Sequence, residues 1–520
     1  MVPAIFLKER ITSMKTYSDL EFLKLSKGQK LLHRIARFFA SIPTGIKNMF
    51  VGLWGLIRKG GAALGREIKD IISTFIHGDW KTKLSFLMMG FGNLARGQIL
   101  RGLLFLLFEA VFIGYMVLTG GYWLSMLPSL GKQGPVEAYD EIFDTYVTTY
   151  NDNSFKILLY GVLTIFFIVA FVYTWYANVK QNKIAEEILR TGKPLKSGKD
   201  DLKSLVDDQF HKTLLALPTV GILIFTVMPI IFMILVAFTN YSSINDGMFN
   251  GLFHWVGFEN FKTMFSWDVG GVNYSATFGE ILLWTLIWAF FATFTNYFLG
   301  MGVALMINKK GIRFKKMWRG ILVLTSAVPQ FVSLLYISKM FSTNGLANGL
   351  LMQVGIVKDL STLIRFWDST HLARVLVIVI NIWIGIPYLM LITTGILMNI
   401  PADLYESARI DGANAWQQYT KITLPYMLFI TGPYLLTSFT SNMNNFNVIY
   451  LLTGGGPFAL DYYQAGKTDL LVTWLYKLTV DQHDYALAST IGIFIFMIVS
   501  TLSITVYNRT SAVKKEDMFQ

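Results

Sequence analysis

Two short stretches of this chain put uncharged polar and aromatic side chains inside otherwise apolar sequence. One is Trp383-Ile384-Gly385-Ile386-Pro387-Tyr388, and the other is Asn442, Asn444 and Asn445, which follow Gly432-Pro433. An Asn side chain offers donor and acceptor together, which suits vicinal hydroxyls. Indole and phenol faces can cover the C–H side of a pyranose and leave its hydroxyls free. Gly385 and Pro387 weaken the surrounding helix and bring the aromatic faces toward a cavity. Amides plus aromatics, with no charge among them, point to a neutral sugar. The competing reading makes the Asn residues interhelical glue and Trp383 a packing residue.

Other chemistries are excluded by what is missing. The chain has 0 Cys, which removes disulfides, thiolate nucleophiles and zinc-thiolate sites together. Its 6 His residues form no HExxH pair. Gly466-Lys467-Thr468 resembles the end of a phosphate loop, but position 461, where the first glycine belongs, is Asp. The chain therefore carries no loop for hydrolysing ATP, and any work it does must draw on a partner or an ion gradient. Ion-coupled carriers usually place ionisable residues inside their spans. Here Glu280 and Arg374 stand only at span edges, so an ion-coupled sugar carrier is the weaker alternative. No ring of charges or filter sequence suggests a channel.

The elements that must position these groups are membrane helices. Of the 520 residues, 53% are hydrophobic and only 15% charged, against about 25% charged in soluble domains. Apolar runs of about 20 residues, enough to cross ~30 Å of hydrocarbon, recur eight times. They lie near 101–123, 156–178, 213–240, 277–307, 318–340, 373–398, 427–452 and 484–507. The runs are continuous and do not alternate, which excludes a β-barrel. The expected fold is an all-α polytopic membrane bundle of eight transmembrane helices.

Basic residues set the orientation. With the N-terminus inside, inner segments hold 36 of the 45 Lys and Arg: 17 up to Arg101, 8 from Lys180 to Lys212, 6 from Lys309 to Arg319, then Arg409, Lys421 and 3 in the tail. The positive-inside rule then puts both termini in the cytoplasm. Residues 1–101 contribute +11 of the net +12, so no nucleic acid is needed to explain the charge. Within them Leu31, Leu32, Ile35, Phe38, Phe39 and Ile42 recur at helical spacing opposite Lys27, Lys30, Arg34 and Arg37. That pattern predicts an interfacial helix on an anionic inner leaflet. The first 20 residues lack the apolar core of a signal peptide.

A polar segment between two spans, residues 401–425, carries a second kind of function. Asn399 can cap a helix that Pro401 starts, Asp403 and Glu406 sit near the positive end of its dipole, and Gly412 offers a stop. A second helical stretch from Ala413 to Ile422 follows, and Pro425 marks the next span. This elbow resembles the cytoplasmic EAA loop of ABC-importer permeases: Glu406, Ser407, Ala408, Gly412, then Ile422, Leu424 and Pro425, with Ser407 the one departure. The resemblance implies that the elbow is the coupling helix seated in a cleft of an ATPase subunit.

Trp383 to Tyr388, Ser438 to Phe446, Leu451 to Pro457 and Ala465 to Val472 are similar to the maltose and maltodextrin permeases of the MalF type. The likeness covers roughly 213–510, including Trp255 to Phe261. It implies a substrate set of Trp383, Ile384, Gly385, Tyr388, Ser441, Asn442 and Asn445, with Ser326 and Gln330 from span five. Maltose-specific members carry aromatics at Ser441 and Ser326, so a longer or differently linked oligosaccharide would fit the wider cavity. Some members also hold a folded domain between spans three and four, where this chain has about 35 residues, Tyr241 to Ser275.

The implied organisation is a basic interfacial region (1–100), two accessory spans and a loop (101–212), a type I ABC-importer permease core (213–510) and a cytoplasmic tail (511–520). The implied partners are a homologous second permease, two ATPase subunits that bind ATP and Mg, and an extracellular solute-binding protein held by a lipid anchor. The substrate would be an oligosaccharide, and the setting the plasma membrane of a prokaryote, among its lipids. No cofactor or metal is expected in this chain itself.

Overall fold

The structure, a computed structural model, describes Ser26 and residues 51–507, except 53, 56–57, 135, 141, 143, 150, 244, 246–251, 267–272 and 310. The interfacial helix expected over 27–42 and the tail from 511 lie outside the described residues. The chain forms two compact units, divided between Lys262 and Thr263, with Leu478–Thr490 returning to the first unit.

The first unit opens with helix α1 (58–77), followed by the short helices α2 (Trp80–Leu84) and α3 (Phe91–Leu94). Span α4 (Ile99–Met126) leads to an antiparallel hairpin, β1 (Val136–Asp140) and β2 (Thr145–Thr149), in which Ala138 stands opposite Val147. Helix α5 (Ser154–Arg190) starts where Asn153 accepts the Lys156 amide at 2.9 Å. Helix α6 (Gly198–Val206) carries a Ser197–Asp200 capping box. Span α7 is Phe210–Val236. Leu130, Ile157, Leu158, Val162, Val236 and Phe253 form the unit's apolar core. The Trp255 indole joins it by donating to Leu127 O at 3.1 Å.

The second unit carries α8 (Tyr274–Asn308), α9 (Lys315–Leu324), α10 (Gln330–Met340), α11 (Thr370–Leu397), α12 (Ala402–Ile410) and α13 (Ala415–Met443). Helices α14 (Phe446–Thr453), α15 (Leu471–Val480) and α16 (Tyr485–Tyr507) complete the chain. Trp284, Trp288, Leu334, Val377, Ile380, Val448 and Ile449 form its core. Helices α8 and α11 approach closely through two glycines. A Cβ on Gly300 would stand 2.7 Å from Leu389 Cβ, and one on Gly385 would stand 2.5 Å from Asn296 Nδ2. Small residues at such crossings let membrane helices pack without a hydrophobic drive between them.

Among the described residues 7 helices are by themselves long and apolar enough to cross a membrane. The eighth expected run, span five, is present in pieces: α9, a 3₁₀ turn at Thr325–Ala327, and α10. Pro329 is the cause: it drives the preceding Val328 to an extended conformation, with φ −78° and ψ 126°, which no α-helix accepts. Span seven likewise ends at Met443, and α14 begins after a break at Asn444. Spans α7 and α13 each contain a wide π turn, Leu223–Val227 and Tyr419–Thr423. Each wide turn is followed at its second residue by a proline, Pro229 or Pro425. The extra room accommodates the ring and the lost N–H.

Gly466-Lys467-Thr468 belongs to a structural loop. Asp469, fully buried, accepts Lys477 Nζ at 2.6 Å, Thr473 Oγ1 at 2.8 Å and the Gly466 amide at 2.7 Å. Burial pushes its carboxyl above the usual carboxylate range, against the pull of Lys477. The Trp284 indole and the Arg374 guanidinium donate to the carbonyls of Thr468 and Lys467 at 3.0 and 2.8 Å. Asp469→Ala would leave the Lys477 ammonium buried and unpaired, a loss of about 3 to 5 kcal/mol. We expect a lower melting temperature and complex yield, partly restored in Asp469→Leu/Lys477→Met; an unchanged melting temperature in Asp469→Ala would contradict this.

Candidate functional site

The elbow begins differently from the sequence expectation. Pro401, with ψ 130°, occupies the N-cap of α12, and Asn399 does not cap it. A proline has no N–H to satisfy and its fixed φ suits entry to the helix. The C-terminal end is a complete Schellman closure: the Ala413 amide donates to Ala408 O at 2.8 Å and the Gly412 amide to Arg409 O at 3.0 Å. Gly412 itself sits at φ 77°, the left-handed region that a side chain would strain.

The second helix starts with a capping box that the sequence reading missed. Asn414 accepts the Gln417 amide and Gln417 accepts the Asn414 amide, both at 2.8 Å. The Asn-x-x-Gln spacing would have signalled it. From Ala415 the chain then runs without a break into span seven, so the second arm of the elbow is the N-terminal end of α13 itself. Tyr405 Oη lies 2.9 Å from Thr423 Oγ1 and pins α12 to the base of that span.

This pinning leaves one surface free. Glu406, Ser407, Arg409 and Asp411 are exposed, as are Leu404, Trp416 (70%) and Ile410 (87%). Ala408, Ile422 and Leu424 are half-buried and Pro425 is exposed. Leu424 packs against Tyr297, Met301, Met427 and Leu435. A rigid, two-capped elbow with apolar tips among charges has the chemistry of a protein-docking surface.

Inside the spans, three of the expected sugar residues share one polar cluster or its border. Asn442 Nδ2 donates to Thr293 Oγ1 on α8 at 3.0 Å, Asn445 Nδ2 donates to Asn442 Oδ1 at 3.3 Å, and the Trp288 indole donates to Asn442 O at 3.1 Å. Asn445 also caps α14 through the Val448 amide. Gly385 lies against Asn296 on α8. Asn296 and Asn381, both buried, were not anticipated; Asn296 Oδ1 and Asn381 Nδ2 find no hydrogen-bond partner among the described residues. Their burial depends on a neighbouring span, which no local spacing reveals.

The remaining residues are more dispersed. Ile384 packs against the Trp284–Trp288 core. Ser441 and Gln330 are exposed, and Ser326 lies on the 3₁₀ turn before Pro329. Trp383 and Tyr388 are 56% and 58% exposed, yet five residues apart they point roughly 140° away from each other round the helix. Trp383 continues an exposed line of Leu372, Val375 and Val379, whereas Tyr388 starts another with Leu391 and Met398. The exposed side of α11 thus changes at Gly385–Pro387. As the single apolar run over 373–398 predicts, the helix is continuous there, from Thr370 to Leu397 around a buried Pro387.

Residues 296–511 match the family model described as "Binding-protein-dependent transport system inner membrane component". The galactooligosaccharides transport system permease protein GanP of Bacillus subtilis is 32% identical over 82% of this chain and 96% of its own length. The maltodextrin permease MalC of Streptococcus pneumoniae is 31% identical over 84% and 97%. The maltose/maltodextrin permease MalF of Escherichia coli is 36% identical over 48% of each chain. Relatives that align over nearly their whole length, a matching family model and the apolar spans agree that this multi-pass membrane protein belongs to the permease subunits of binding-protein-dependent, ABC-type sugar importers.

Proposed function

We propose that this chain is one of two homologous permease subunits that together import a neutral oligosaccharide, with maltodextrins the substrate class. Two ATPase subunits, which bind ATP and Mg, engage the elbow around Glu406 and Gly412. An extracellular solute-binding protein, tethered by a lipid anchor, delivers the sugar, and tethering raises its effective concentration. Both termini face the cytoplasm. The observation that carries the reading is the elbow: its Schellman closure and Tyr405 pin make a rigid unit continuous with the span that bears Asn442, so a push at one end reaches the other.

The substrate reading rests on the uncharged amides and aromatics of α11 and α13. Trp383 or Tyr388 would stack on a sugar face while Asn442, Asn445 and Ser441 meet hydroxyls. The GanP likeness favours galactose-containing oligosaccharides as the second reading. Screening the partner binding protein against malto- and galacto-oligosaccharides by calorimetry distinguishes them. Tight binding of linear α-glucans supports maltodextrin import; binding of galactosides alone overturns that choice.

Orientation has its own test in the cysteine-free background. Single cysteines at Ser197 and Gly311 should react with an impermeant maleimide only after permeabilisation, whereas Ser129 and Asp461 should react from outside. Outside labelling at Gly311 would overturn the proposed topology, because Lys309–Arg319 is its most basic short loop.

A further inference from the structure

We propose that α1 and the groove beside it form a binding surface for anionic phospholipids of the inner leaflet, an inference that rests on the cytoplasmic orientation proposed above. Tyr176 stands 22 residues beyond Ser154, the outer start of α5, or roughly 33 Å at 1.5 Å per residue, just past a hydrocarbon layer of about 30 Å. Glu67 accepts Tyr176 Oη at 2.5 Å, and Asp70 accepts Lys183 Nζ at 2.5 Å. These bonds hold α1 against the part of α5 that emerges among the headgroups.

The docked side of α1 carries Glu67, Asp70 and the buried Thr74. Next to it around the helix run Leu64, Ile68, Ile72, Phe75 and Ile76, all exposed. The following sector holds Arg58, Lys59, Arg66 and Lys69, exposed and without ion pairs among the described residues. A helix docked on one side, apolar on the next and basic on the third presents its apolar stripe to acyl chains and its cations to phosphates.

The groove supplies a pocket for one lipid. Phe75, Trp80, Lys83, Leu84, Phe86 and Leu87 line an open groove of about 630 Å³. Lys83 is the lone cation on this apolar lining. Lys81 Nζ lies 6.0 Å from the Trp80 ring centroid and is engaged by Ala95 O at 3.1 Å, and Trp80 and Leu87 are 64% and 81% exposed. A phosphodiester on Lys83 with an acyl chain along Phe75 and Leu87 uses both parts, and an indole at this depth is at home in the interface.

The test uses the assembled importer in nanodiscs of phosphatidylcholine alone or mixed with phosphatidylglycerol, with a fluorophore on Ile68→Cys or Ser73→Cys and nitroxide-labelled lipids as quenchers. Lipid quenching is expected at position 68 and not at 73, stronger with phosphatidylglycerol. Lys69→Gln and Lys83→Gln should each weaken that preference roughly fivefold. Equal quenching in both lipids overturns the anionic preference. Shielding of position 68 without lipid quenching shows a protein subunit on this face and overturns the proposal. Impermeant maleimide on Ser73→Cys in right-side-out vesicles separates the two readings: labelling there refutes the orientation, whereas its absence with an unquenched position 68 refutes the lipid surface.

Discussion

Glu406→Lys and Gly412→Pro are expected to abolish stimulation of ATP hydrolysis by binding protein and sugar while the permease still inserts and assembles in the membrane. Gly412 holds φ 77°, which proline cannot adopt, and its amide closes the turn onto Arg409 O at 3.0 Å. Losing both the conformation and the donor costs about 3 kcal/mol or more, spent in an exposed turn and not in the bundle. Glu406 is exposed and makes no ion pair among the described residues, so reversing its charge leaves the fold intact and acts only on whatever docks there. Tyr405→Phe should be milder, removing one bond of about 1 kcal/mol. Normal stimulated hydrolysis in both strong variants would remove the coupling role from residues 401–425.

The proposed sugar site gives a second large effect, and the geometry separates its members. Trp383 is 56% exposed, so Trp383→Ala should lower uptake through lost stacking while melting temperature stays nearly constant. Asn442 is tied to Thr293 and Asn445, so Asn442→Ala should lower both uptake and stability. Lost stacking or hydroxyl bonds of about 1 to 3 kcal/mol correspond to roughly fivefold to a hundredfold in apparent affinity. Uptake per assembled complex, measured beside thermal stability, reads the two apart. Normal uptake per complex in both variants would make these residues packing alone.

Local signals in the sequence carried much of this architecture. Continuous apolar runs marked the spans, and Gly412 marked the turn, because hydrophobic length and left-handed φ are properties of a few adjacent residues. Val328-Pro329 held the information that breaks span five, but hydropathy averages over it. Asn414 and Gln417 spelled a capping box that the EAA spacing obscured. The buried Asn296 beside Gly385, and Arg96 ion-paired to Asp79 at 2.6 Å in the first unit, were not legible. Each depends on a partner from another helix, and no period along the chain encodes that partner.

If an ATP-driven motor moves an oligosaccharide through this permease, proteoliposomes holding the whole complex will show it by uptake. With binding protein outside, ATP and Mg inside, and no ion gradient, radiolabelled maltodextrin should accumulate in the lumen. Glu406→Lys should stop that accumulation. Accumulation that ignores ATP and follows an imposed proton or sodium gradient would contradict the account and favour an ion-coupled carrier.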